Sequence, residues 1–214
     1  MERNLAGKTA LVTGGSRGLG QAIAEKLAAE GALVAVNYAE NRGAAEATVA
    51  RITAAGGQAF AAQAKLGGEA AAQQLATAIA AEFTARTGSP GLDILVNNIG
   101  GGDYAPMLEV TEAFYDQTMA NNLRGAFFLT KALHGQLRDN GRVINLSSVG
   151  ARLTDPGIIV YTMAKAALES AKNQLAKLQP TADELAAAQA SVSAAQAARD
   201  LAAEQLKNAK LVAP

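Results

Sequence analysis

The sequence predicts an α/β fold: a doubly wound parallel sheet followed by a C-terminal helical extension. Three observations predict it. Short apolar runs of strand length alternate five times with segments of helical length. The runs are almost continuously apolar, as in strands covered on both faces, and glycines stand at the junctions.

Lys8–Thr13 (KTALVT) is the first buried strand, closed by glycines. Gly18–Glu30 reads as a helix with Ile23 and Leu27 on one face and Gly31 as its stop. Ala32–Asn37 (ALVAVN) is the second strand, and Arg42–Ala55 the second helix, ended by Gly56-Gly57. Gln58–Ala64 is a third strand of weaker pattern, and Glu69–Arg86 a long alanine-rich helix. Leu92–Asn97 (LDILVN) is the clearest strand. Thr111–Leu137 is helical with Thr111 as its cap, and Arg142–Ser147 (RVINLS) is the fifth strand. Such alternation joins parallel strands by right-handed crossovers.

After Val160 the pattern changes. Tyr161–Leu178 is one helix, broken at Gln179-Pro180, and Thr181-Ala-Asp-Glu184 is a capping-box sequence opening another helix to about Lys210. No sixth or seventh strand can be read between them. The expected organisation is a sheet domain over residues 1–178 and an Ala-rich helical tail over 179–214.

Composition narrows the chemistry. A chain of 214 residues supports one ordinary domain with a core, and half of it is hydrophobic. A formal net charge of zero gives no electrostatic case for nucleic acid or an anionic membrane as partner. The absence of cysteine removes disulfides, thiolate nucleophiles and zinc–thiolate sites, and a single histidine, His134, argues against a metal cluster or a Ser–His–Asp triad. The N-terminal apolar run is short and broken by glycine, and no stretch approaches a membrane span, so a soluble cytoplasmic protein is expected.

Between the first strand and its helix stands Thr13-Gly14-Gly15-Ser16-Arg17-Gly18-Leu19-Gly20. Glycine suits a backbone that turns sharply and approaches a pyrophosphate, and the free N–H groups of the next helix point at those phosphates. A glycine-rich turn alone is weak evidence; its place at the start of a βαβ unit is what gives it weight.

TGGSRGLG resembles the TGxxxGxG fingerprint of the short-chain dehydrogenase/reductase family. Three further motifs follow in order. Asn97-Asn98-Ile99-Gly100 resembles the family's NNAG, and Asn122-Leu123-Arg124-Gly125 its NxxG. Ser148, thirteen positions before Tyr161, together with Tyr161-x-x-x-Lys165, resembles its active-site signature. Residues 5–168 carry the likeness, which resembles the bacterial 3-oxoacyl-carrier-protein reductases in particular, and it implies a Rossmann-like sheet and an oxidoreductase.

The residues suit that reaction. Reducing a carbonyl requires a proton donor at its oxygen, and tyrosine donates poorly near neutrality unless a neighbouring cation assists. Lys165 lies one helical turn after Tyr161, on the same face. The resemblance implies that Lys165 also holds the nicotinamide ribose, that Ser148 hydrogen-bonds the substrate carbonyl, and that Asn122 positions a water of the proton relay. An ordinary helix-surface pair is the plain alternative for Tyr161 and Lys165. Ser147 competes with Ser148, and Asn121 with Asn122; the family spacing selects the latter of each. Arg138 and Arg142 are expected in a solvated turn, and His134 on a helix surface.

The resemblance implies cofactor contacts at Gly14, Gly15, Ser16, Arg17, Gly18, Leu19 and Gly20, and at Asn37, Tyr38, Leu66, Asn98, Tyr161 and Lys165. No acid stands immediately at the end of the second strand (Val36-Asn37-Tyr38-Ala39-Glu40), and Arg17 can bond a 2′-phosphate, so NADP is favoured while Glu40 keeps NAD open. Lys65-Leu66 stands where relatives carry Asp-Val, and Lys65 cannot accept a hydrogen bond from adenine.

The tail departs from the family. Leu178, Leu185 and Val192 recur at sevens, and residues 169–214 resemble the helical hairpin of periplasmic adaptor (membrane-fusion) proteins; a recombined or designed tail without function is the equal alternative. The expected function is NADP-dependent hydride transfer between cofactor and a small carbonyl or alcohol substrate, with homo-oligomerisation. The alternative is an impaired, truncated or chimeric dinucleotide-binding chain whose tail mediates self-association.

Overall fold

The computed structural model describes residues 4–102, 104–153 and 155–178. The chain divides into two compact units, Met1–Ser170 and Ala171–Pro214. The expected tail over 179–214 lies outside the described residues, as does the likeness to an adaptor hairpin beyond Leu178.

Among the described residues, five parallel strands form one sheet: β1 (Thr9–Val12), β2 (Leu33–Tyr38), β3 (Gln58–Gln63), β4 (Leu92–Asn97) and β5 (Leu137–Asn145), in the order β3-β2-β1-β4-β5. The crossovers are α1 (Gly18–Ala29), α2 (Arg42–Ala54), α3 (Glu69–Thr87) and the pair α4 (Glu112–Met119) and α5 (Gly125–Leu133); α6 (Ile159–Leu178) follows β5. No described helix is long and apolar enough to cross a membrane.

Continuous apolarity in the central strands follows from burial on both faces. In β1, Leu11 joins one core with Leu75, Ile79, Phe83 and Leu129 from α3 and α5. Its neighbours Ala10 and Val12 face the opposite core, with Ala24, Ala28 and Ile52 from α1 and α2. Alternate side chains of one strand thus serve two layers. The strand order reverses between β1 and β4, so their carboxyl ends diverge and leave a crevice, where open α/β sheets bind ligands.

The fifth unit differs from expectation. The helix expected over Thr111–Leu137 stops at Leu133 and is interrupted by a π-helical turn at Ala120–Arg124, although Thr111 does cap it, accepting the Phe114 N–H at 3.2 Å. The strand expected over Arg142–Ser147 begins earlier, at Leu137, and ends at Asn145. Tertiary contact decides both boundaries. Leu137 pairs with Leu92 and packs against the core, and the Leu92 N–H donates to the Gln136 carbonyl at 2.7 Å. These contacts outweigh the weak helical preference of His134-Gly135-Gln136. β5 then advances five positions, from Leu137 to Arg142, where β4 advances two, from Leu92 to Ile94, with Asn140 at φ 63° in the irregularity.

Arg138 is therefore not in a solvated turn. It lies in β5 with its guanidinium 2.6 Å from Asp93 of β4, whose side chain is only 8% exposed. Among the described residues, β5 pairs on one side only, with β4.

Candidate active site

The glycine loop is held by buried polar groups rather than by apolar packing. Thr13 Oγ1 accepts the N–H groups of Asn98 (2.9 Å) and Ile99 (3.1 Å) and donates to the Val96 carbonyl at 3.2 Å. Asn98 Nδ2 donates back to the Thr13 and Gly14 carbonyls at 2.8 and 3.3 Å. The ends of β1 and β4 are thereby stitched together.

Asn37, expected at the cofactor, is buried. Its Nδ2 donates to the Ala62 and Ala64 carbonyls, its Oδ1 accepts the Gly14 N–H at 3.4 Å, and its carbonyl accepts the Gly15 N–H at 2.8 Å. Tyr38 is buried too, its hydroxyl 3.5 Å from Gln63 Oε1. Asn37 thus braces the loop from behind, and neither it nor Tyr38, Gly15 or Ser16 lines the crevice.

Close approach requires glycine at position 20: a Cβ there would stand 2.3 Å from the Gly14 carbonyl oxygen. Gly18, at φ +55°, faces open space and turns the chain into α1. The N-cap of that helix, Arg17, offers its first turn no side-chain acceptor. The leading amides and the positive end of the helix dipole therefore open on the crevice, an arrangement that suits phosphate oxygens.

The crevice holds about 640 Å³ and is lined by Gly14, Arg17, Gly18, Leu19, Gly20 and Asn98 together with Ser148, Tyr161 and Lys165. A second cavity of about 570 Å³ shares Arg17 and residues 99–101 with it and runs on to Glu40, Lys65 and Leu66.

At the inner end, Ser148 opens a short 3₁₀ turn (Val149–Ala151), its Oγ accepting the Gly150 N–H at 3.0 Å. Thr162 Oγ1 donates to the Gly150 carbonyl at 2.8 Å and fixes that turn to α6. A Cβ on Gly150 would meet both Tyr161 Cε1, at 2.8 Å, and Ser148 Oγ, at 3.3 Å, so both border one small space. Ser147 also lines the crevice, but its hydroxyl is 3.3 Å from Glu169 Oε2.

Lys165 is 3% exposed, donates to the Leu146 carbonyl at 3.1 Å, and sits 5.9 Å from the centre of the Tyr161 ring. Burial pushes its pKa below the usual lysine value. Asn122, buried in the π-helical turn, clasps Gly101: its Oδ1 accepts the Gly101 N–H at 3.0 Å and its Nδ2 donates to the Gly101 carbonyl at 2.7 Å. A Cβ on Gly100 would lie 2.7 Å from Lys165 Nζ and 2.9 Å from Asn122 Oδ1. Asn121 turns instead to the second cavity and accepts from Gln117. His134 is exposed at the end of α5.

Sequence reading missed Thr13, Thr162 and Asp93. A polar residue closing an apolar strand was the available signal for Thr13. The contacts of Thr162 and Asp93 depend on partners distant in sequence and gave none.

A phosphate-sized cradle, a buried cation and two hydroxyl groups around one space match the family resemblance, and comparison with known proteins agrees. The family model described as short chain dehydrogenase matches residues 8–182. The chain belongs to that family. It is 41% identical over 172 residues to an uncharacterized oxidoreductase of Methylorubrum extorquens, covering 80% of this chain and 67% of that protein. It is 37% identical over 175 residues to a 3-oxoacyl-[acyl-carrier-protein] reductase of Synechocystis sp., covering 81% and 68%. Among solved structures it is similar to the angucycline C-6 ketoreductase LanV with bound NADP, at 44% identity and TM-score 0.76, covering 78% and 65%. The chain thus spans about two thirds of the length of these relatives. None of them supports a likeness of the tail to an adaptor hairpin.

Proposed function

We propose that this chain is an NADP-dependent reductase of carbonyl compounds, running in reverse on the alcohols. The observation that carries the reading is the meeting of Ser148, Tyr161 and Lys165 at one end of a crevice whose other wall is the uncapped start of α1. LanV, similar in fold and sequence, holds NADP.

The first-turn amides of α1 and the glycine loop suit the pyrophosphate, Leu66 and its neighbours the adenine end, and Lys165 the nicotinamide ribose. When bound, the dinucleotide supplies the hydride. Tyr161 gives its proton to the substrate oxygen. Ser148 Oγ already accepts from Gly150, so its own hydrogen is free to bond that oxygen. The Lys165 ammonium stabilises the phenolate left on Tyr161, and its low exposure keeps bulk water from screening that charge. Asn122 Oδ1 and Lys165 Nζ both border Gly100, a proximity that supports the role in the proton relay which the resemblance implies for Asn122. Tyr115, Phe127 and Met163, exposed on α4, α5 and α6, suit self-association as a homo-oligomer.

The test is oxidation of NADPH with a small ketone or a 3-oxoacyl thioester, by the chain and by Tyr161→Phe. Loss of the proton donor should cost a factor of about 10² or more. Equal rates in the two proteins overturn the proposal.

A further inference from the structure

The cavity at the outer end of the crevice is lined by three charged side chains: Arg17, Glu40 and Lys65. Their placement follows from the sheet. β2 and β3 run in register with Tyr38 opposite Gln63, and the Ala64 N–H continues the ladder to the Tyr38 carbonyl at 2.9 Å. Two residues past each strand, Glu40 and Lys65 therefore face each other across the carboxyl edge, and Lys65 Nζ donates to Glu40 Oε1 at 2.8 Å.

The Glu40 carboxylate, the group that would prefer two free ribose hydroxyls, is thus occupied by a cation of the same cavity. Both partners are mostly exposed, 68% for Lys65 and 77% for Glu40, so the pair is cheap to open. Arg17 has no ion-pair or hydrogen-bond partner for its side chain among the described residues. Two cations and one monoanion leave a surplus positive charge in a cavity open to solvent.

We propose that Lys65 is a specificity-determining residue: it leaves Glu40 for the 2′-phosphate of the dinucleotide and, with Arg17, selects the phosphorylated cofactor. The inference rests on the NADP reading above and names the group that enforces it. A phosphate near neutral pH carries about 1.5 to 2 negative charges against one on Glu40, so it wins the ammonium. Glu40 then acts only as the opposing charge, competing for Lys65 and repelling the phosphate.

The signs of two substitutions separate this role from a structural ion pair. A structural pair weakens in the same way whichever partner is removed. Here Lys65→Ala deletes a phosphate ligand and bares Glu40, whereas Glu40→Gln deletes only the competitor.

Calorimetric titration of the full chain with adenosine 2′,5′-bisphosphate and with 5′-AMP reads the adenine end alone. The unaltered chain should prefer the bisphosphate. Lys65→Ala should lower that preference about tenfold, Lys65→Arg should restore most of it, and Glu40→Gln should raise it about threefold. Thermal melts check folding, and the opposite signs at positions 40 and 65 keep the test decisive if one variant folds poorly. An unaltered chain that binds both probes equally overturns the NADP reading and this proposal with it. A preference that survives Lys65→Ala, or that falls in Glu40→Gln as well, overturns the role of Lys65 and leaves NADP standing.

Discussion

Asp93→Asn tests whether β5, the strand leading to Ser148, is held from the opposite edge of the sheet. The Asp93 carboxylate accepts four hydrogen bonds: from Lys8 Nζ and the Thr9 N–H at 3.0 Å, Thr9 Oγ1 at 3.1 Å and Arg138 Nη1 at 2.6 Å. An asparagine keeps one acceptor oxygen and sets an NH₂ donor against a cation or another donor. Breaking a fully buried ion pair costs about 3–5 kcal/mol. The Lys8 and Arg138 side chains are 52% and 33% exposed and find water, which brings the expected loss to about 2 kcal/mol. In a domain of this size that lowers Tm by about 4–8 °C. Burial alone would raise the Asp93 pKa; the Thr9 amide, the Lys8 ammonium and the Arg138 guanidinium outweigh it and hold the group below the ordinary aspartate value. Its stabilisation is therefore complete above the unfolded-state pKa and is lost as pH falls through the lower folded value. Thermal melts of both proteins from pH 7 downward should show a constant gap at neutral pH that closes in the acid range. A variant that melts within 1 °C of the parent at neutral pH would refute the clamp.

Two further substitutions bear on the site itself. Lys165→Met should raise Tm by a few degrees while abolishing ketone reduction, because among the described residues the buried ammonium has one hydrogen bond, to the Leu146 carbonyl, to offset its lost hydration. Its pKa is lowered on folding, so the parent gains stability as pH rises from the folded toward the unfolded lysine value; the Met variant should lack that gain in alkaline melts. Gly20→Ala should weaken NADPH binding at least tenfold and cost about 2 kcal/mol in denaturant titration, since the new Cβ must displace the Gly14 backbone that shapes the phosphate cradle.

The central sheet was legible because burial on both faces writes itself into sequence as unbroken apolar runs. The spans read for β1 and β2 differ from the structure by a residue or two, and that for β4 agrees with it. The fifth unit was not legible for a physical reason. Its helix end and strand start are set by contacts with Leu92 and Asp93, more than forty residues away in sequence, and no local propensity reports them. The site divides in the same way. Motif spacing located the residues that border the crevice, but it did not separate those that face a ligand from those that hold the wall. Asn37 stood in the right segment; pairing with two carbonyls of the β3 edge turned its side chain inward.

That inward polar layer explains how the two ends of the crevice keep a fixed separation. From Thr13 a continuous set of contacts leads through the Asn98 and Ile99 amides to Gly101, which Asn122 clasps through both its N–H and its carbonyl. Gly100, inside this segment, packs against Lys165 Nζ, and Lys165 in turn bonds Leu146, whose own N–H donates to the Asn97 carbonyl of β4. The path closes at the carboxyl end of β4, beside the Asn98 amide through which it passed. The glycine loop and Lys165 therefore belong to one contiguous set of contacts, hydrogen bonds joined by the packing of Gly100 on Lys165, rather than to two loops that must find each other. An error of about 1 Å between reacting groups costs about a hundredfold in rate, so buried polar residues serve this site better than apolar ones of equal volume. Apolar packing would fill the same space without fixing the direction of any group within it.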